Sequence, residues 1–161
     1  MRISVLCMAS GLWIAMAMGL GPSWAEQGRQ ADEPRLALKG YDPVAYFTVG
    51  RPTPGKPEFQ HDVDDVRYYF ANAEHLALFQ KDPDRYAPQY RGLCAMGLGA
   101  KGYHVEADPE NWVIHEGRLY VTQRSFGPAG FRKDPERWAA AAQENLKLLE
   151  DTPIGTGLSW W

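Results

Sequence analysis

Cysteine is scarce in this sequence of 161 residues, which has only Cys7 and Cys94. Two cysteines cannot form the disulfide framework that stabilises many small secreted domains, so such a framework is excluded. An excess of basic residues is also absent, because 17 Lys and Arg stand against 20 Asp and Glu, giving a formal net charge of −3. The chain therefore offers no basic surface for the phosphate contacts that dominate nucleic-acid affinity, and we expect no nucleic-acid partner.

The short motifs of several large enzyme classes are missing as well. The sequence contains no Gly-x-Ser-x-Gly, no phosphate-binding loop, no His-Glu-x-x-His and no dinucleotide fingerprint. What is present is the composition of an ordinary globular chain, with 45% hydrophobic and 23% charged residues, which excludes disorder of the whole chain. The length suits a single domain.

Residues 1–25 have the pattern of a secretory signal peptide. A basic start at Arg2 is followed by an apolar stretch from residue 3 to residue 20, and the small residues Ser23 and Ala25 precede the expected cleavage point. An uncleaved anchor is the alternative, because about 20 apolar residues can span a bilayer. Glycines inside the stretch and the Ser-x-Ala ending favour cleavage after Ala25. We therefore expect export, to the periplasm if the source is a Gram-negative bacterium, and membrane contact only through this segment before cleavage.

Cleavage would remove Cys7 and leave Cys94 as the single cysteine of the mature chain, in a compartment that oxidises thiols. Residues 26–35 are polar with no apolar period, which predicts a flexible leader. A domain over residues 36–150 follows, and a glycine-containing tail over 151–161 ends in Trp160 and Trp161, to which we assign no role.

Two β-hairpins are predicted inside this domain. Residues 59–63 and 66–70 are rich in β-formers and flank Asp64 and Asp65, which favour a turn. Residues 112–114 and 119–121 alternate around the turn at residues 115–118.

Helix starts are marked by side chains that can accept backbone N–H bonds. Asn72 predicts a helix over residues 73 to about 81, and Asp134 followed by Pro135 predicts a C-terminal helix. Four Asp-Pro pairs, each predicting the start of a short helix or a turn, begin at Asp42, Asp82, Asp108 and Asp134. The sum is a small α+β domain, without the strand–helix alternation of a parallel sheet.

Several stretches of the domain resemble the YHS-domain family, in particular its exported, stand-alone branch. They are Lys-Gly-Tyr-Asp-Pro-Val-Ala-Tyr-Phe at 39–47, the run from Tyr69 to Asp-Pro-Asp-Arg-Tyr at 82–86, and Ala-Pro-Gln-Tyr-Arg-Gly-Leu-Cys-Ala at 87–95. The resemblance extends through 112–114 and 117–120 and covers about residues 38–125. Because other members of this family occur in metal-transporting ATPases and metal-handling proteins, the resemblance implies a role in metal homeostasis.

The sequence departs from the metal-binding members of that family at their ligand positions. The cysteine that follows Asp-Pro-Val in those members corresponds to Ala45, and the cysteine that follows the strand phenylalanine corresponds to Ala71. A ligand-type position four residues later is His75. A copied cysteine-rich site is therefore excluded.

The first functional hypothesis is a soft-metal site, for copper, formed by Cys94, Met96 and His75. Cysteine and methionine sulfurs suit Cu(I), and in an extended glycine-rich segment residues two apart project to the same side. An imidazole must complete such a site. His75 is a candidate because the helix N-terminus favours its neutral, ligating form, and His104 is another.

A second hypothesis treats Cys94 as a buried small side chain and Met96 as core filler, as is usual for both residue types. The protein is then a small-ligand or protein-interaction module. Seven aromatic residues can either line its pocket or fill its core: Tyr41, Tyr46, Phe47, Tyr68, Tyr69, Tyr86 and Tyr90.

A third hypothesis is a thiol-dependent enzyme in which a histidine acts as base for Cys94. No spacing in the sequence specifies such a pair. His61, on a predicted strand face, and His115, at a predicted hairpin turn, are expected to be structural or solvent-exposed.

Overall fold

The structure, a computed structural model, describes residues 33–149 and 152–157. The signal-peptide interpretation of residues 1–25, with Cys7, lies outside the described residues. So do most of the predicted leader and the Trp160–Trp161 end of the tail. Within the described residues, no helix is both long enough and apolar enough to cross a bilayer.

The described part of the chain is a mixed α+β domain, as the sequence predicts. Its strands are β1 (Arg35–Leu36), β2 (Lys56–Val63), β3 (Val66–Phe70), β4 (Tyr103–His104), β5 (Asp108–His115), β6 (Arg118–Thr122) and β7 (Thr156–Gly157). Its α-helices are α1 (Ala45–Thr48), α2 (Ala73–Lys81), α3 (Pro83–Tyr86), α4 (Ala95–Lys101), α5 (Gly127–Phe131) and α6 (Pro135–Leu148). Short 3-10 turns occupy Ala37–Gly40 and Gln89–Gly92.

The first predicted hairpin is the centre of a three-stranded sheet of order β1-β3-β2. β2 and β3 are antiparallel with Val63 opposite Val66, and Asp64 turns the chain with a φ of +53°. β3 buries every second residue against the core. Arg35, which the sequence placed in a flexible leader, instead pairs with Val66 as part of β1.

The second predicted hairpin is the antiparallel pair β5–β6, in which His115 faces Arg118 across the turn. Glu116 and Gly117 form that turn with φ values of +49° and +73°. Positive φ at both central residues is the type I′ geometry that matches the right-handed twist of a hairpin. The predicted turn is therefore confirmed at its predicted residues.

The predicted helix starts are confirmed for α2 and α6. The Asn72 side chain accepts the N–H of His75, and the Asp134 carboxylate accepts the N–H of Arg137. Three of the four Asp-Pro pairs precede short or long helices. The fourth opens strand β5, where the Asp108 carboxylate accepts the N–H of Glu110 in a local turn.

Two clusters of buried side chains form the core. One lies under the β1–β3–β2 sheet and helices α1 and α2 and includes Tyr46, Phe70 and Phe79. The other lies between α4, α6 and the β5–β6 hairpin and includes Leu98 and Phe131. Cys94 belongs to the first cluster, whereas its neighbours Leu93 and Ala95 belong to the second.

The aromatic residues singled out in the sequence mostly belong to this core. Tyr46, Tyr68, Tyr86 and Tyr90 are all buried. Burial raises the pKa of Tyr68 to about 12 and also raises that of Tyr46. The Tyr46 hydroxyl donates to the Pro109 carbonyl over 3.0 Å, so its polar end is satisfied inside the core.

Helices α4 and α6 pack closely because α4 has a glycine at their contact. A Cβ atom at Gly99 would lie 2.7 Å from the backbone oxygen of Trp138, closer than real Cβ contacts. Asn145 of α6 also stabilises the contact between the two helices, since its side-chain amide donates to the Leu98 carbonyl over 2.8 Å.

Candidate functional site

The glycine-rich segment around Cys94 is helical rather than extended. Cys94 is the N-cap of α4, and Gly102 ends the helix with a φ of +60°. The prediction that Cys94 and Met96 project to one side of an extended segment is therefore wrong. The Cys94 sulfur takes the place of the usual capping oxygen, because it accepts the N–H of Gly97 over 3.1 Å.

Cys94 lies at the junction of α4 and β6 and is 4% exposed. Its sulfur also accepts the N–H of Gln123 over 3.1 Å, and its own N–H donates to the Val105 carbonyl over 2.9 Å. The thiol is unpaired with any other cysteine of the described residues. The side chain thus joins two elements through backbone hydrogen bonds.

A cavity of about 460 Å³ opens beside Cys94. This volume falls in the range of small-molecule sites, roughly 300–1,000 Å³. Its wall is formed by residues of α4, β4, the end of β6 and the start of α5: Cys94, Met96, Gly97, Ala100, Lys101, Tyr103, Val105, Thr122, Gln123, Arg124, Phe126 and Gly127.

The mouth of the cavity combines exposed aromatic rings with positive charge. Phe126 is 73% exposed and Tyr103 is 47% exposed. The Lys101 ammonium lies 6.0 Å from the centre of the Tyr103 ring. Among the described residues, neither Lys101 nor Arg124 forms an ion pair, and no carboxylate lines the cavity. The site therefore presents apolar surface and uncompensated cations together.

Of the three predicted metal ligands, the structure brings Cys94 and Met96 to this cavity but not His75. Both nitrogens of the His75 ring have other partners: Nδ1 lies 2.5 Å from the Asp42 Oδ2 atom, and Nε2 lies 3.2 Å from the Thr48 hydroxyl. His75 is absent from the cavity wall. It forms a separate buried pair with Asp42.

The Asp42 carboxylate contacts all three positions at which the resemblance to the YHS-domain family places metal ligands, namely Ala45, Ala71 and His75. It accepts the N–H of Ala45 over 3.3 Å and that of Ala71 over 2.8 Å, and it contacts His75. A single buried carboxylate thus holds these three positions together by accepting hydrogen bonds from two of them and contacting the third. This role of Asp42 is not evident from the sequence, because its partners lie up to 33 residues away.

His104, the other imidazole considered for the site, points away from the cavity. Its neighbours Tyr103 and Val105 line the cavity, and successive side chains of an extended segment point to opposite sides. Its Nδ1 atom lies 3.2 Å from the Thr152 carbonyl, and burial lowers the pKa of His104. His104 instead borders a smaller cavity of about 200 Å³, with Arg91, Gln143, Leu146 and Lys147.

The remaining histidines lie on the two hairpins. The His61 ring packs 6.1 Å from the Phe79 ring, between ring centres, on the first hairpin. His115 packs 6.5 Å from the Phe131 ring and lies beside Glu116 and Glu136. Neither histidine lines the cavity at Cys94.

The mouth residues were not identified from the sequence, although a weak signal exists. Lys101-Gly102-Tyr103 and Arg124-Ser125-Phe126 both place a cation two residues before an aromatic ring, with a small residue between. The two segments lie more than twenty residues apart, and only the pairing of α4 with β6 brings them to one opening.

Comparison of the chain with protein-family models, with curated proteins and with solved structures finds no match. The cavity has an apolar interior and positive charge at its mouth. This surface is complementary to a molecule with an apolar body and a negatively charged end.

Proposed function

We propose that the protein is an exported YHS-like domain that binds a small amphipathic anion in the cavity beside Cys94. The observation that carries this proposal is the pairing of an apolar wall with two cations that lack carboxylate partners among the described residues. Export and family membership rest on the sequence patterns at residues 1–25 and 38–125.

The apolar part of the ligand would pack against the inner wall. Met96, Ala100 and Val105 offer aliphatic surface there, and Phe126 offers an exposed aromatic face at the mouth. Burying apolar surface releases free energy of about 25 cal/mol per Å². Covering the Phe126 ring therefore favours an occupant with a hydrocarbon or aromatic body.

The charged end of the ligand would lie at Lys101 and Arg124. Both cations are exposed, so each contributes modestly and in a salt-dependent manner, as exposed ion pairs do. The charges therefore orient the ligand and select anions over neutral analogues, while the apolar wall supplies most of the affinity. Among the described residues, no histidine lines the cavity, so its geometry gives no support to a thiol-dependent enzyme with a histidine base.

Calorimetric titration with decanoate and with decanol tests the proposal, because the two probes share a hydrocarbon chain and differ in charge. We expect decanoate to bind more tightly, and Lys101→Gln to weaken decanoate binding about two- to fivefold without affecting decanol. Lys81→Gln is the matched control, since Lys81 and Lys101 are both the last residues of short helices.

A further variant tests the position of the site. Ala100 is exposed on α4 and lines the cavity, so Ala100→Trp should fill the space and abolish binding while leaving the fold intact. Equal binding of decanoate by the wild-type protein and Ala100→Trp, or equal binding of decanol and decanoate, would contradict the proposal.

A second candidate function is the binding of a soft metal, copper as Cu(I), and one observation favours it. The side chains of Cys94 and Met96 line the same cavity, and both carry sulfur, which suits Cu(I). His75 would join them only by leaving Asp42 and Thr48. Titration with Cu(I) under reducing conditions separates the possibilities: a copper site requires tighter binding by the wild-type protein than by Cys94→Ala, and equal binding would eliminate it.

A further inference from the structure

A second cluster of ligand-type side chains lies at the turn of the β5–β6 hairpin, where it meets the start of α6. His115 and Glu116 come from the hairpin, and Glu136 comes from the first turn of the helix. One ligand atom from each of the three residues lies within 4.8 Å of the other two. None of the three lines the cavity at Cys94.

The imidazole of His115 has a nitrogen that makes no hydrogen bond within the described residues and whose one partner there is a carboxylate. Its Nε2 atom is buried, while the side chain as a whole is 30% exposed and lies at ion-pair distance from Glu136. A buried nitrogen that lacks a hydrogen bond costs free energy in the folded state, so a closer partner at this position would be favourable. The Oε1 atom of Glu136 lies 3.4 Å from this nitrogen, within ion-pair distance but longer than an ordinary hydrogen bond.

That separation matches the spacing of two ligands around one metal ion. Zn²⁺ binds imidazole nitrogen and carboxylate oxygen at about 2.0–2.2 Å with tetrahedral geometry, which places two such ligands roughly 3.3–3.6 Å apart. The 3.4 Å between His115 and Glu136 lies in this interval, and Glu116 supplies a third oxygen.

We propose that His115, Glu116 and Glu136 bind a divalent transition-metal ion of the Zn²⁺ type. One nitrogen and two carboxylate oxygens suit such an ion better than Cu(I), which prefers sulfur. Three protein ligands leave a fourth position for water or for an external ligand. The site is chemically distinct from the pair of sulfurs in the cavity and is independent of the proposed anion binding.

The backbone around the three residues is well fixed. The tight turn with positive φ at Glu116 and Gly117 holds the hairpin end, the His115 ring packs against Phe131, and the Asp134 carboxylate caps the helix that carries Glu136. Ligands presented from such elements need little rearrangement to meet an ion, which favours affinity.

The test uses the mature protein without an affinity tag and two metal probes. Co²⁺ should give the visible absorption of a site of low coordination number, and Zn²⁺ should displace it in competition with a chromophoric chelator. We expect His115→Gln and Glu136→Gln each to weaken Zn²⁺ binding at least tenfold. Glutamine is close in size to both histidine and glutamate, and both side chains are partly exposed. Folding of the variants should therefore persist, which circular dichroism can check.

Matched controls come from the same kinds of element. Glu144→Gln lies further along α6, and His61→Gln lies on the other hairpin, so both should bind Zn²⁺ within twofold of the wild-type protein. Zn²⁺ should also raise the melting temperature of the wild-type protein and of both controls, but not that of Glu136→Gln. Wild-type affinity equal to that of His115→Gln, or an equal loss in His61→Gln, would overturn the proposal.

Discussion

The Asp42 carboxylate and the His75 imidazole form a buried pair, with Oδ2 and Nδ1 2.5 Å apart and Asp42 fully inaccessible to solvent. The same carboxylate accepts the backbone N–H groups of Val44 and Ala71, each over 2.8 Å. A single side chain therefore connects the start of α1, the end of β3 and helix α2. This connection has a measurable consequence for stability.

Replacing Asp42 should destabilise the protein strongly. Asp42→Ala removes the acceptor for three N–H groups and leaves the buried His75 ring without its carboxylate, so we expect a loss of about 3–5 kcal/mol in the free energy of unfolding. Urea unfolding of the purified protein measures this value. Asp84→Ala, at an exposed position of α3, is the control and should cost less than about 1 kcal/mol. Similar losses in both variants would contradict the role assigned to Asp42.

Cys94 should matter as a hydrogen-bond acceptor. Cys94→Ser keeps an atom that can accept the N–H groups of Gly97 and Gln123, whereas Cys94→Val fills similar space without one. We expect Cys94→Val to be less stable than Cys94→Ser by about 1–3 kcal/mol, the usual cost of unsatisfied buried donors. Denaturant unfolding measures the stability of the two variants. A more stable Cys94→Val would show that packing, and not hydrogen-bond acceptance by the side chain, governs this position.

A thiol reagent should label the native wild-type protein far more slowly than the unfolded chain, because the sulfur is buried.

Gly99 should resist replacement even though it lies in a helix. Alanine at a helical position is normally more favourable than glycine by about 1 kcal/mol. At Gly99 the added Cβ would lie 2.7 Å from the Trp138 backbone oxygen, so we expect Gly99→Ala to destabilise the protein by about 1–3 kcal/mol, as other overpacking changes do.

Gly130 provides the comparison within α5. A Cβ at Gly130 would make only an ordinary contact, 3.5 Å from the Met96 methyl group, so Gly130→Ala should be neutral or slightly stabilising. Thermal unfolding of the two variants side by side checks the pair. A stabilising effect of Gly99→Ala would contradict this prediction, because it would show that α4 and α6 can move apart to accommodate the added methyl group at little cost in free energy.

His104 should make the stability of the fold depend on pH. Burial lowers its pKa in the folded state, so the unfolded chain takes up a proton near its ordinary pKa of about 6.5 while the folded protein does not. The contribution of neutral His104 is therefore complete above about pH 6.5. It is lost as the pH falls from there through the lower folded-state pKa.

The variant His104→Asn checks this dependence, since its amide can still donate to the Thr152 carbonyl that His104 contacts. Unfolding free energies of the wild-type protein and the variant, measured at neutral and mildly acidic pH, should change differently, with the larger acid-induced loss in the wild-type protein. His61→Asn, on the first hairpin, should lose stability in acid as the wild-type protein does. An equal acid-induced loss in His104→Asn would remove His104 as the cause.

Local sequence signals predicted most of the secondary structure but little of the candidate site. The hairpins follow from alternation around short turns, and α2 and α6 follow from Asn72 and Asp134, whose effects reach only three residues along the chain. The glycines after Cys94 favour an extended segment because glycine disfavours a helix, whereas the structure has helix α4 there. Packing against α6, which requires a glycine at position 99, outweighs that preference.

The cavity and the Asp42–His75 pair could not be derived in the same way. Cys94 and Gln123 are 29 residues apart, and Asp42 and His75 are 33 apart. Such contacts depend on how whole elements pair, which alternation and capping do not specify. The side to which the His104 side chain points could not be predicted either, because it depends on the register of the extended segment between α4 and β5.

The alternation of Leu93, Cys94 and Ala95 between the two buried clusters also bears on how the domain unfolds. Neither cluster can come apart without displacing this three-residue segment, and displacing it exposes side chains that belong to the other cluster. The two halves of the core should therefore open together in native-state hydrogen exchange, and any occupant of the adjoining cavity should slow the exchange of both halves alike.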